Sequence, residues 1–291
     1  MEKENPDMAK REIALVEEQI KSLAPTEVLI GGRVYSISHI LLLTMVDGKI
    51  CNTLTETSSQ RCYVCKAIPK EMNNINLAHV SEDPSTFRFG LSVLHVWIRC
   101  FECLLHISYR LHFKKWQVRD PDKETLLVRK QKIIKRFKKE LGLRVDQPNA
   151  GGSGNSNNVN TARRFFASPE MSSEITGIIL DLIKRFAIIL HTISTSYEIN
   201  IAKFGKFAFD TARLYIKLYP WYFMPATVHK LLIHGEKIIE HAILPIGQLA
   251  EDALEARHRD LRRYRLGHAS KCSRKKNLED VLTCFLCHQI L

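Results

Sequence analysis

Between residues 50 and 91 this chain changes the period of its apolar pattern. Upstream, residues 27–46 (EVLIGGRVYSISHILLLTMV) hold β-branched and apolar runs broken at Gly31-Gly32. That pattern predicts two strands, the second ending at Asp47-Gly48 and leaving a carboxylate at a strand end. Downstream, apolar residues recur at helical spacing and predict helices over 91–113, 122–140, 169–196, 199–218, 225–242 and 249–265, the first with an aromatic stripe. A short amphipathic helix over 8–23, closed by Pro25, precedes the strands. Residues 51–85 are polar and turn-like, with a CxxC, and 149–158 (NAGGSGNSNN) read as a flexible linker, because Gly, Ser and Asn at this density cannot bury a core. The fold class expected is α+β, mainly α.

Lys plus Arg number 43 against 31 Asp plus Glu, a formal charge of +12 over 291 residues. With 45% hydrophobic and 25% charged residues the composition is that of a globular protein, which excludes wholesale disorder. No apolar run approaches the ~18 residues of a membrane span. The longest clear one, Ile40 to Val46, is cut by Thr44 and stopped by Asp47. The charged N-terminus (MEKENPDMAKRE) lacks the apolar core of a signal peptide. A reducing compartment is therefore expected, where the eight cysteines serve as metal ligands or buried thiols rather than disulfides. The basic surplus favours an acidic polymer as partner.

Cys62-Tyr-Val-Cys65 has the spacing of a zinc knuckle and needs two further ligands. His229-Lys-Leu-Leu-Ile-His234 offers them, but five residues turn a regular helix through about 500°, leaving the imidazoles about 140° apart. They converge on one ion only if the helix ends or loosens between them, and Gly235 is a residue that allows this. On spacing alone, the same residues read equally well as ordinary thiols and polar helix histidines. Cys100 and Cys103 lie in an apolar helix and read as buried thiols. Cys284-Phe-Leu-Cys287-His288 matches a haem-attachment pattern, but in a basic chain without an export signal it reads as coincidence or core.

Residues 257–276 (RHRDLRRYRLGHASKCSRKK) hold nine Lys or Arg interleaved with Leu261, Tyr264 and Leu266. Such a segment packs one face and offers the other to phosphates. Together with a second basic stretch, Arg129 to Lys139, it could make the ~6–10 phosphate contacts of a DNA-binding protein. The plainer reading of either stretch is a solvated helix face. Two carboxylates stand out by position. Asp47 ends the apolar strand, and Glu255 has His258, Arg259 and Arg262 on its own helical face. Glu255 and Arg259 also have the spacing of an ordinary helix ion pair. The sharper reading makes Asp47 and Glu255 Mg²⁺ ligands beside a phosphodiester.

Six segments, in order, resemble the catalytic subunit of the V(D)J recombinase and the Transib-type DNA transposases. They are TMVDGKICN; CYVCKA with PKEMN; LHVWIRCFECLLHISY; NTARRFF; HKLLIHGEKIIEH; and LEARHRDLRRYR followed by SKCSRKKNLEDVL. The resemblance covers most of this chain and the C-terminal part of that catalytic core. It implies a partial ribonuclease-H-like fold with a large helical, zinc-containing insertion. The expected layout is strands to residue 50, the insertion over 51–243, and a catalytic-Glu helix with a basic C-terminal segment over 244–291.

The resemblance further implies that Asp47 is the second catalytic aspartate, Glu255 the catalytic glutamate and His95 a histidine near the active site. Cys62, Cys65, His229 and His234 become zinc ligands, and Asp47 and Glu255 Mg²⁺ or Mn²⁺ ligands. Arg257, Arg259, Arg262, Arg263, Arg265 and Lys271 hold DNA. The zinc would contribute on the order of 10 kcal/mol and fix where Glu255 sits. The expected activity is metal-dependent nicking of DNA and strand transfer in the nucleus, with a second copy or an accessory recombinase subunit as partner. Of the upstream acids, Asp7 is not on an apolar strand, so a fragment without the first catalytic aspartate is expected. The alternative is a domesticated or decaying remnant that binds zinc and DNA without chemistry. An RNA-binding reading has only the charge in its favour.

Overall fold

The computed structural model describes residues 6–41, 43, 48–76, 82–148, 155–250 and 252–287, which fall into two compact units, residues 1–249 and 250–291. The first unit begins with helix α1 (Pro6–Ser22) and a hairpin of β1 (Thr26–Ile30) and β2 (Arg33–Ile37). The strands pair antiparallel from Thr26↔Ile37 to Ile30↔Arg33. Gly31 and Gly32 sit at φ 58° and 78°, the two left-handed residues of a tight hairpin turn whose twist matches that of the strands. Both strands are exposed, apart from the half-buried Val28.

The expected long second strand is not formed: β2 stops at Ile37, ten residues before Asp47. β1 starts at Thr26, directly after Pro25, which has no N–H to offer, so the hairpin has no rung for residue 38 onward. Gly48, expected in a turn, opens helix α2 (Gly48–Leu54). Residues 44–47, Asp47 among them, lie outside the described residues.

From residue 93 the unit is helical: α3 (Val93–Arg110), α4 (Asp120–Leu141), α5 (Val159–Ala167), α6 (Pro169–Thr176), α7 (Leu180–Ile193) and α8 (Ile201–Leu218). After them α9 (Ala226–His229), a π turn (Lys230–His234) and α10 (Gly235–His241) follow without a break. Twelve of the 18 residues of α3 are buried, so it is the central helix rather than a surface one. Its aromatic stripe meets α5: Trp97 packs on Phe166 at 5.8 Å and Phe101 on Phe165 at 5.1 Å, with Phe137 of α4 at 5.9 Å from Phe165. Each such side chain contributes about 1.5–3 kcal/mol by leaving water.

The helix ends follow local chemistry. Ser92, Asn158 and Asn200 accept backbone N–H groups three residues on, and Gly142 and Gly177 take left-handed conformations where α4 and α6 end. Gly177 is why the helix expected over 169–196 is two. The Asn-rich end of the expected linker is held in place: Asn157 is buried and donates to the Asp146 carboxylate at 2.8 Å, and Asn155 bridges Pro148. Residues 149–154 lie outside the described residues.

The second unit pairs α11 (Asp252–Gly267) with α12 (Arg274–Cys287) over a small core of Tyr264, Ala269 and Val281. Among the described residues the architecture is therefore mainly helical with one two-stranded sheet. Among the described residues no helix is long and apolar enough to cross a membrane.

Candidate metal centre

Cys62 and Cys65 sit in a knuckle closed by two backbone bonds, Lys66 N–H to Cys62 C=O at 2.8 Å and Cys62 N–H to Ala67 C=O at 3.1 Å. The turn needs a left-handed residue just after the second cysteine. Lys66 supplies it at φ 61°, an uncommon conformation for a residue with a side chain. Three residues past the knuckle a single 3₁₀ turn (Pro69–Glu71) leads into Met72, whose side chain is buried.

His229 ends α9 and His234 ends the π turn. A π turn closes i→i+5 bonds, so residues five apart come round to one face, where a regular α-helix would hold them about 140° apart. The imidazole centroids are 5.1 Å apart. The helix loosens between the histidines, as convergence requires. It does not do so through Gly235, whose φ of −57° and ψ of −38° are ordinary helical values. That glycine serves packing instead: a Cβ there would lie 3.2 Å from Phe204 of α8.

The ligand atoms of Cys62, Cys65, His229 and His234 all lie within 4.8 Å of one another, and all four side chains are buried. Cys65 Sγ is 3.4 Å from His229 Nε2 across 164 residues of chain. Tetrahedral zinc with two sulfur and two nitrogen ligands has edges of about 3.3–3.8 Å, so the cluster could close on an ion with small side-chain movements. Two thiols and two imidazoles are a donor set that suits zinc.

Each histidine is anchored through its other ring nitrogen. His229 Nδ1 lies 2.8 Å from the Met72 carbonyl, and His234 Nδ1 lies 2.7 Å from Glu82 Oε1. An acceptor at Nδ1 keeps the proton there and leaves the Nε2 lone pair for a metal. Glu82 also accepts from Lys237, one turn beyond His234. Asn73 fastens the same two segments without a metal, donating to Tyr222 C=O at 3.2 Å and accepting from Met224 N–H at 2.9 Å. Met72 and Asn73 end the PKEMN segment of the resemblance, which gave them no role, and Glu82 carries no motif. Only their lying between the CxxC and the next helix pointed to them.

The two thiols differ in acidity. Burial alone would raise Cys62, but hydrogen bonds with Cys65 and His234 and the two imidazoles hold it far below the ordinary thiol value. The hydrogen bond to Cys62 and burial push Cys65 up. One thiolate is thus favoured before any metal arrives, and a cation would stabilise the second.

No protein-family model matches this chain, and no curated protein does.

The remaining candidates are spread over both units. His95 lies in the first turn of α3, its Nδ1 2.7 Å from the Ser92 hydroxyl, and lines a cavity of about 670 Å³. Glu255, Arg257 and Arg259 lie in α11, with side chains outside the described set. Arg262, Arg263, Arg265 and Lys271 are exposed. Tyr264 is buried between these arginines, but Leu261 and Leu266, expected to pack with it, are 39% and 65% exposed. In the second basic stretch, Arg129 donates to the carbonyls of Ser108 and Thr176, and Arg136 pairs with Glu140 and Glu174. Lys132, Lys135, Lys138 and Lys139 are exposed along α4. Cys100 and Cys103 are buried thiols raised by burial, Cys103 to about 12.

Proposed function

We propose that this chain is a zinc-stapled DNA-binding protein of the V(D)J recombinase and Transib transposase type, built for metal-dependent phosphodiester cleavage and strand transfer in the nucleus. One observation carries the reading. The four residues that the resemblance implies as zinc ligands, from segments more than 160 residues apart, are the four whose ligand atoms meet. Short matched segments could recur by accident, whereas a shared point of convergence ties two of them together in space. The +12 charge and the exposed arginines of α11 add to it.

In this reading Asp47 and Glu255 would be ligands of Mg²⁺ or Mn²⁺, as the resemblance implies for a ribonuclease-H-like site. The bound ions supply Lewis acidity for hydrolysis and for attack by the freed 3′-hydroxyl. Arg257, Arg259, Arg262, Arg263, Arg265 and Lys271 neutralise the phosphate backbone on either side of the cut. The zinc, as a closed four-ligand site, takes no part in the chemistry and holds the helical body together.

The test uses the full chain with supercoiled DNA and Mg²⁺ or Mn²⁺. The expected result is one zinc per chain, DNA affinity that falls steeply with salt and, where nicking occurs, its loss in Glu255→Gln. DNA binding without nicking would leave the non-catalytic form of the reading, a zinc and DNA-binding remnant. A chain that holds no zinc, or does not bind DNA at low salt, would overturn it.

A further inference from the structure

The cavity of about 670 Å³ in the first unit is within the ordinary size range of a small-ligand site. Its wall brings together Lys49 from α2, Arg61 from the turn before the knuckle, Arg99 from α3 and Lys230 from the π turn. Among the described residues none of the side chains lining it is acidic. Four cations from four separate segments are not the solvated face of one basic helix, where like charges simply spread into water. Folding has gathered them around one open, solvent-accessible cavity, where an entering anion meets positive charge from several sides.

The wall is also fixed in place. Lys230 Nζ sits 3.8 Å above the ring of Tyr63, one of the two residues between the cysteines. Arg61 immediately precedes Cys62, and Lys230 immediately follows His229. The convergence that builds the metal centre therefore also builds this side of the cavity. Arg99 is held by Glu102 at 2.8 Å, and Trp116 contributes an aromatic surface backed by Tyr222 at 4.6 Å and Phe223 at 5.2 Å.

We infer that this cavity is a phosphate-binding site, with Lys49, Arg61, Arg99 and Lys230 taking the phosphate oxygens and Trp116 offering a face to an attached base. The phosphate could belong to a nucleic-acid backbone or to a free nucleotide. Recognition needs only the cavity's charge and shape, so it stands or falls separately from the DNA reading above.

Pyrophosphate and dAMP are titrated calorimetrically into the full chain, and single- and double-stranded 20-mers are followed by anisotropy. Lys49, Arg61 and Arg99 are exposed, so Lys49→Ala/Arg61→Ala and, separately, Arg61→Glu should fold normally, with melting temperature as the check. The expected result is saturable 1:1 binding of pyrophosphate, weakened at least tenfold in both variants. DNA displaced by pyrophosphate, with DNA affinity lowered in the same variants, would place the ligand in a nucleic-acid backbone. A dAMP complex lost in the variants, with DNA binding unchanged, would identify a free nucleotide. A chain that binds pyrophosphate but no DNA would keep this site and remove the DNA reading. No saturable pyrophosphate binding, or equal affinity in well-folded variants, would overturn the inference.

Discussion

His229 and His234 are five residues apart on one continuous helical segment, yet their rings stand 5.1 Å apart, edge to face, because the segment takes one wide turn between them. A π turn sacrifices regular hydrogen-bond geometry and is rare without a use. Here it aligns two imidazoles with two thiols from a distant knuckle. His234 itself has left regular helical values, at φ −105° and ψ −4°, where that turn ends.

Removing a ligand should therefore cost more than a contact. Cys62→Ser and His229→Ala each leave three ligands in a buried polar pocket, and zinc content should fall from one per chain towards zero. Melting temperature should drop by 10 °C or more, on the order of the several kcal/mol that a structural site contributes to folding. Normal metal content and melting in both variants would show that the cluster is only a packed polar group.

Glu82 should tune the site without being a ligand. Glu82→Gln keeps the shape but weakens the acceptor at His234 Nδ1 and removes the ion pair with Lys237. Zinc affinity, measured by competition with a chelator, should fall about 10- to 100-fold, as for other outer carboxylates. Cobalt substituted for zinc should keep its tetrahedral spectrum. An unchanged affinity would mean that the carboxylate merely fills space.

Two glycines of the first unit should respond in opposite senses to alanine. At Gly205 of α8 the atoms nearest an added Cβ are those of the Glu236 carboxyl, the far end of a flexible, exposed side chain. Gly205→Ala should stabilise by about 0.5–1 kcal/mol through helix propensity. At Gly247 a Cβ would lie 2.2 Å from the Thr195 carbonyl, which is backbone and cannot swing away. Gly247→Ala should destabilise by about 1–3 kcal/mol. Denaturant midpoints of the two variants check both signs.

Asp146 gives an acid-sensitive term. Burial by itself would raise its carboxyl, but Lys130 at 2.9 Å, Asn157 and His106 hold it below the usual aspartate value. A carboxyl whose pKa is lowered by folding binds fewer protons in the native state. Its stabilisation is therefore full above the unfolded value near about 4 and is lost as pH falls through the lower folded one. Asp146→Asn should cost about 1–2 kcal/mol at pH 7, modest because the Lys130 ammonium is partly exposed and screened. The difference from wild type should shrink towards pH 2. A difference that did not change with pH would assign the loss to shape alone.

Local pattern by itself determined most of the long helices, though not the short ones at Gly48–Leu54 and Val159–Ala167 or the break at Gly177, together with the Gly31-Gly32 turn and the two halves of the metal site. The aromatic stripe of α3, the Gly31-Gly32 break and the CxxC and HxxxxH spacings are all short-range signals, each limited to a few turns of chain. They also carried the condition that the histidine helix must loosen, since 100° per residue allows nothing else. Tertiary structure decided what such signals cannot contain. Only folding placed Met72 and Glu82 behind the histidines, because a carbonyl and one glutamate among many acids have no motif. Only packing assigned Gly235 to close contact with Phe204 rather than to a helix end. Strand length also needed a partner: the apolar run after Ile37 reads as strand, but a rung forms only where β1 has a residue to pair, and β1 begins at Thr26, directly after Pro25. The cations around the cavity belong to four segments whose nearness is a property of the fold alone.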